Sequence, residues 1–148
     1  MVYLGQNPLW PQAFNIVHQS FLAWWPAENA PKINQWAELN ESLKTLGLSQ
    51  SIRDALIVWA EPHATNWRKF PLKIRLLHPM EKELLSPEAY GYLLELYRLN
   101  LIEYPLMEAI IEQCGGLIRL PATREQVQAL VHQTLSEEMA SQGFGLSH

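Results

Sequence analysis

Residues that begin or end helices divide this chain into short amphipathic segments, and this division limits the fold more than any other sequence feature. Gly47 and the Gly115-Gly116 pair are typical of positions that follow a helix, whereas Pro26 and Pro62 interrupt helical hydrogen bonding. Ser86-Pro87 predicts a helix start, because a capping residue precedes a proline suited to the first turn. Six helices are predicted, over residues 12–25, 34–46, about 50–61, 87–99, 105–114 and 124–139.

Two segments do not follow a helical period. Residues 72–77 alternate leucine or isoleucine with Lys73 and Arg75, which predicts a short strand. Residues 117–120 predict a second short strand that pairs with the first. The predicted fold class is mainly α: a single-domain helical bundle of about six helices, with a helix-turn-helix-like pair and one or two short strands. The predicted parts are an extended N-terminal arm at 1–11, a helical domain at 12–139 and a flexible tail at 140–148.

The composition favours one buried core and argues against a disulfide-stabilised or membrane-spanning chain. Of the 148 residues, 48% are apolar, which suffices for a core of ordinary domain size. Cys114 is the only cysteine, so no disulfide can form within the chain. The sequence lacks the pattern of a secretory signal and any run of about 18 apolar residues. These features predict a cytoplasmic protein without a membrane partner.

Charge is distributed unevenly along the chain. The net charge is −4, which argues against a generally basic nucleic-acid-binding protein. Residues 44–82, however, carry seven basic and three acidic side chains, whereas the remaining residues carry four basic and twelve acidic ones. The middle of the chain is therefore basic and its flanks are acidic. One interpretation is a binding surface in the middle; the other is that charged side chains there only face water.

No residue pattern in the chain predicts catalysis. The five histidines lie at spacings unlike those of metal ligands, and His18 and His132 are predicted to occupy surface or boundary positions on helices. Cys114 lies at a predicted helix C-terminus, where the dipole disfavours a thiolate, so a small buried apolar role is predicted. Gly115-Gly116 fits no phosphate-binding motif. We therefore expect a protein that is not an enzyme, with no catalytic residue, no metal site and no cofactor.

The second and third predicted helices, joined by a short turn at Gly47, fit a helix-turn-helix frame. The later of the two helices would expose Arg53 toward a ligand. The following segment supplies cations for phosphate contacts and an aromatic side chain among polar neighbours. The residues predicted to contact protein or nucleic acid are Arg53, Arg68, Lys69, Lys73, Arg75 and Trp67.

Tryptophans provide a second set of candidate contacts. Trp36 and Trp59 fall on the apolar stripes of predicted helices and are expected in the core. The other four tryptophans are candidates for exposed aromatic anchors at a protein interface, where large aromatic side chains are common. These four are Trp10, Trp24, Trp25 and Trp67.

Several stretches resemble the Smg family of small bacterial proteins. Residues 39–48 and 52–59 resemble its second and third helices, with a leucine-spaced helix, a glycine turn and an Ile-x-x-Ala-Leu-x-x-Trp pattern. Residues 14–22, 74–81 and 87–96 resemble the opening helix, the following strand and turn, and the next helix. Tyr90 stands where the family usually has arginine. The resemblance spans residues 12–136 and implies no catalytic residues, since the family has no established biochemical activity.

Two functions are compatible with these features. The first is a non-enzymatic interaction or regulatory module whose partner is another protein. The alternative is a nucleic-acid-associated regulator that uses the helix-turn-helix-like pair and the basic segment 44–82. The resemblance to Smg slightly favours a link to nucleic acid, because family members are commonly encoded beside a DNA-processing protein. The sequence predicts no particular oligomeric state.

Overall fold

The computed structural model describes residues 7–25, 31–65 and 77–142, and within these ranges the protein is mainly helical. A single 3₁₀ turn, Glu81–Glu83, precedes the fourth helix. The predicted mainly α class and the order of the helices are confirmed. In the described residues the α-helices are α1 (Trp10–Trp24), α2 (Ile33–Leu46), α3 (Gln50–Thr65), α4 (Pro87–Arg98), α5 (Tyr104–Cys114) and α6 (Arg124–Ser141).

Side-chain caps fix the starts of α4 and α6 where the sequence predicts them. The Ser86 Oγ accepts a hydrogen bond from the backbone N–H of Ala89 at 3.1 Å. The Thr123 Oγ1 accepts from the Gln126 N–H at 3.2 Å, and the Thr123 N–H donates to Gln126 Oε1 at 2.9 Å. These bonds satisfy backbone groups that no carbonyl within the helix can reach.

The turn between α2 and α3 consists of three residues, Gly47–Ser49. Gly47 has a φ of 109°, a left-handed conformation that glycine adopts without the steric cost of a side chain. The Leu48 N–H then donates to the carbonyl of Leu43 at 3.3 Å, and the Leu48 side chain is buried. The predicted role of Gly47 as the residue that ends α2 is confirmed.

The predicted end of α3 at Pro62 is wrong. The helix passes through Pro62 and continues to Thr65. A proline inside a helix removes one hydrogen bond, here to the carbonyl of Val58. Val58 is 59% exposed, so its carbonyl lies on the solvent side of the helix, where water can replace the missing donor. At the other end of the chain, α1 begins at Trp10, two residues before its predicted start, with Pro11 in its first turn.

The second predicted strand, at residues 117–120, is also wrong. These residues form an irregular loop, and the described residues contain no sheet. The only β-type pairing among them is an isolated parallel bridge between Leu85 and Ala122. The Ala122 N–H donates to the carbonyl of Leu84 at 2.7 Å, and the Ser86 N–H donates to the carbonyl of Ala122 at 3.0 Å. The first predicted strand lies almost entirely outside the described residues.

Helix α6 organises the packing of the bundle. It contacts α4, α5 and, less extensively, α1, while α1 packs on α2 and α2 on α3. The face of α6 that meets these neighbours is buried at Val127, Val131, Leu135 and Met139. The chain therefore has one continuous apolar core, and its helix ends and loops surround that core.

Candidate functional sites

Arg53 is held by the turn between α2 and α3. Its Nε donates to the Asn40 Oδ1 at 3.1 Å, and its Nη1 donates to the carbonyl of Leu48 at 2.6 Å. The side chain is partly buried. Two of its N–H groups therefore already have acceptors within the chain, so Arg53 stabilises the turn in addition to any contact with a ligand.

The other predicted contact residues lie outside the described residues. The predicted surface therefore has only Arg53 in the described ranges. The residues concerned are Arg68, Lys69, Lys73, Arg75 and Trp67.

The tryptophans proposed as interface anchors have different environments. Trp10 is only 3% exposed, and its indole N–H donates to the carbonyl of His132 on α6 at 2.9 Å. It is a core residue, because α1 starts early enough to carry it onto α6, and its predicted role as an exposed anchor is wrong. Trp24 and Trp25 are partly buried against the core. Of the tryptophans predicted to be core, Trp59 is 4% exposed, which confirms the prediction, and Trp36 is partly buried.

A buried histidine joins α1 to α4. His18 is 2% exposed, and its Nε2 lies 2.8 Å from the Glu95 Oε2. An ionised carboxylate can only accept, so the Nε2–H of His18 is the donor. The His18 ring also packs edge-on against the Tyr92 ring, with centroids 5.7 Å apart. The prediction of a surface or boundary position for His18 is therefore wrong, since its helical face points into the core.

The charge states of this region follow from burial. Burial lowers the pKa of His18, although the nearby Glu95 carboxylate acts in the opposite direction. Burial also lowers the pKa of His132, and His18 nearby adds to that effect. Both imidazoles therefore favour the neutral form. In that form the His18–Glu95 pair acts as a polar link between two packed helices.

The described residues show a buried thiol and no metal-binding group. Burial raises the pKa of the Cys114 thiol to about 11, and the side chain is fully buried at the end of α5. This confirms the predicted role as a small buried side chain. Within residues 7–25, 31–65 and 77–142, no three histidine, cysteine, aspartate or glutamate side chains are grouped to hold a metal ion. No helix in the same ranges is long and apolar enough to cross a membrane.

An apolar groove of about 470 Å³ lies beside the start of α4. Leu77 comes from the segment before the 3₁₀ turn, Leu85 from the bridge, and Pro87 and Tyr90 from the first turns of α4. Lys82 and Ser86 add polar atoms at its edge. The groove has an aliphatic and aromatic wall with few polar groups, which is the usual character of a surface that receives apolar side chains.

The loop between α5 and α6 exposes large apolar side chains. Ile118 is 103% exposed and Leu120 is 46% exposed, whereas the neighbouring Leu117 packs against the core. The loop rejoins the groove at the bridge between Ala122 and Leu85. We call this region the apolar end, and it consists of Ile118, Leu120 and the groove residues Leu77, Leu85, Pro87 and Tyr90.

Sequence reasoning missed the apolar end because it assigned residues 117–120 to a strand. The sequence of this segment nevertheless indicates a loop: isoleucine and leucine follow a glycine pair and precede Pro121, in a segment too short for a helix. Such a loop has few places to bury its side chains. No family model, no curated protein and no solved structure matches the chain, so the resemblance to the Smg family stays a prediction.

Proposed function

We propose that the protein is a non-enzymatic interaction module that binds a partner protein through the apolar end. The observation that carries this proposal is the exposure of Ile118 and Leu120 on a loop that is bridged at Ala122 to Leu85, a residue of the apolar groove. Single exposed apolar residues are ordinary, but exposed apolar side chains next to an apolar groove are typical of interaction sites. Burying the Ile118 side chain against a partner would contribute about 1.5–3 kcal/mol, and Leu120, which is 46% exposed, would contribute roughly half as much.

The backbone on both sides of the loop supports a preformed binding surface. On the α5 side, the N–H groups of Gly115, Gly116 and Leu117 donate to the last carbonyls of α5 at 3.0–3.1 Å. On the α6 side, the bridge at Ala122 and the cap at Thr123 hold the chain. A loop held at both ends loses less conformational entropy on binding than a free segment does, so more of the burial energy becomes affinity.

Affinity capture from a lysate of the source organism tests the proposal. The wild-type chain and the double variant Ile118→Asp, Leu120→Asp serve as bait, each with and without nuclease. We expect a discrete protein recovered with the wild type, insensitive to nuclease and lost with the variant, because charged side chains do not enter an apolar interface. Ile33→Asp is the matched control, since Ile33 is 88% exposed on the first turn of α2.

Equal recovery with the wild type and the double variant would contradict the proposal. Recovery that disappears with nuclease would instead favour the alternative function, a nucleic-acid-associated regulator. In that case direct binding to duplex DNA, single-stranded DNA and RNA should weaken steeply with salt, since phosphate contacts release counterions. Circular dichroism of each bait before the experiment establishes that the substitutions, all at exposed positions, leave the fold intact.

A further inference from the structure

A cavity of about 240 Å³ lies at the other end of α6 from the apolar end. Three elements form it: the last turns of α3, the residues just before α5, and the last turns of α6. Its apolar walls are Trp59, Leu101 and Leu135, which are at most 4% exposed. Its polar lining includes two carboxylates, those of Glu103 and Glu138. We call this region the acidic cavity.

Within the described residues, the two carboxylates of the acidic cavity form no ion pair, and the imidazole of His63 is the only other titratable side chain in the described lining. The Glu138 carboxylate accepts a hydrogen bond of 3.3 Å from the Gln142 Nε2. Burial, with Glu103 as a second cause, raises the pKa of Glu138. The ionised form of Glu138 is therefore disfavoured in the free protein, and a cation bound beside it would stabilise that form.

Trp59 adds an unused hydrogen-bond donor to the cavity. Its side chain is 4% exposed, lines the cavity and stacks on His63 with ring centroids 4.5 Å apart. Its indole N–H has no acceptor in the described residues. Every fully enclosed side-chain nitrogen or oxygen in the described residues has a hydrogen-bond partner. Because the Trp59 N–H has none, it must be in contact with solvent. Trp59 lines the acidic cavity, which gives it that contact. A buried indole normally has an acceptor, which a bound ligand would supply here.

The helix ends around the cavity also favour positive charge. Both α3 and α6 end near the cavity, at Thr65 and Ser141, so the negative ends of two helix dipoles lie close to it. Helix α5 begins there with its positive end, and its N-cap residue Glu103 places a carboxylate beside that end. In a partly enclosed site with apolar walls, these fields are less screened by water than on an open surface.

We propose that the acidic cavity binds a small organic cation: an ammonium or guanidinium group on a short aliphatic stem that also carries an oxygen acceptor. Glu103 and Glu138 bind the charged group, the walls of Leu101 and Leu135 contact the stem, and the Trp59 N–H donates to the oxygen. An organic cation fits better than a metal ion, because the described residues bring no three metal-ligating side chains together.

Calorimetric titration of the purified chain with 4-amino-1-butanol tests this site. The expected Kd is about 1 mM, typical of a small ligand with few contacts, and the titration should extend to about 10 mM. 1-Butanol, which lacks the charge, should not bind measurably. Glu138→Gln and Glu103→Gln should each weaken binding of the amine by about tenfold, since each removes a charged acceptor.

Glu112→Gln is the matched control, because Glu112 is an exposed glutamate elsewhere on α5 and its replacement removes the same charge. It should leave binding of the amine unchanged. The proposal is overturned if the wild type does not bind 4-amino-1-butanol, if 1-butanol binds as well, or if Glu138→Gln and Glu112→Gln bind the amine equally. The comparison of the two ligands needs only the wild type, so it stands even if a variant fails to fold.

Discussion

The apolar end and the acidic cavity lie at opposite ends of the same helix and differ in what they offer a partner. Helix α6 has 18 residues and is about 27 Å long, with the apolar end before its first residue and the acidic cavity beside its last turns. One end exposes Ile118 on a loop that joins an apolar groove at Ala122. The other places the exposed Glu103 and the partly buried Glu138 at the lining of a cavity with apolar walls. Binding at the apolar end is favourable because it removes apolar surface from water, whereas binding at the acidic cavity is favourable because a cation offsets the charge of the carboxylates.

The residues that stabilise the fold differ in position from those available for recognition. Between the two ends, α6 buries one continuous stripe against α4 and α5. That stripe determines stability, and substitutions there should unfold the chain. The exposed side chains of Ile118 and Leu120 contribute little to packing, and the carboxylate of Glu138 carries an electrostatic cost. Variants of these side chains should therefore change binding much more than folding.

The largest expected effect on stability is at Trp59, where core and acidic cavity meet. Trp59→Ala should lower the free energy of unfolding by about 3–5 kcal/mol, because it removes a buried aromatic side chain from the packing of α3. Thermal denaturation measures the loss. Val58→Ala is the control on the same helix, since Val58 is 59% exposed, and it should change little. A Trp59→Ala variant as stable as the wild type would show that this wall of the cavity is not part of the core.

The pH dependence of stability should report the buried histidines between the two ends. The pKa values of His18 and His132 are lowered in the folded chain, whereas in the unfolded chain a histidine takes up its proton near about 6.5. Near and below that pH the unfolded chain binds more protons than the folded chain, so stability falls as the solution is acidified through about pH 6.5. Each histidine contributes up to about 1.4 kcal/mol per pH unit between its two pKa values.

His18→Gln should make this pH dependence shallower, because glutamine can donate to Glu95 without titrating. Chemical denaturation at several pH values measures the slope. His78→Gln serves as the control, since His78 is exposed on the segment before the 3₁₀ turn. If the slope below pH ~6.5 is the same in the wild type and in His18→Gln, the buried His18 does not set the pH dependence.

A smaller effect of opposite sign is expected at Glu138. Its pKa is raised in the folded chain by burial and by Glu103, so ionisation at neutral pH costs stability that is regained as the carboxyl group is protonated. Glu138→Gln should therefore raise the free energy of unfolding at pH 7 by about 0.5 kcal/mol, the modest size expected of a partly exposed charge. The gain should shrink in acid. Glu112→Gln should show no such gain, and a loss of stability in Glu138→Gln would contradict the electrostatic interpretation.

The sequence predicted those parts of the fold that depend on local chemistry. The starts of α4 at Ser86 and α6 at Thr123 were predictable because one side chain caps each, and the end of α2 was predictable because Gly47 adopts a positive φ. Pro62 misled the prediction because the effect of a proline depends on which face of the helix loses its hydrogen bond. That face is known only once the helix is packed on its neighbours.

Neither end of α6 was predictable as a site, for two different physical reasons. Residues 117–120 form a short, mostly apolar segment like a strand, but a strand needs a partner, and the described residues supply only the bridge at Ala122. Glu103 and Glu138 are far apart in the sequence and share a cavity only because α5 and α6 pack side by side. The burial of His18 has the same origin, since its carboxylate partner lies on α4.

Site-specific photocrosslinking at the apolar end tests the central claim most directly. A photoreactive phenylalanine analogue placed at position 118 points away from the core, since Ile118 is fully exposed. Placed at position 33, the same group is equally exposed on α2 but remote in sequence from the groove. We predict a discrete crosslinked protein from position 118 that is absent from position 33 and persists after nuclease treatment. No crosslinked protein from position 118, or the same products from both positions, would contradict the assignment of the apolar end as the binding surface.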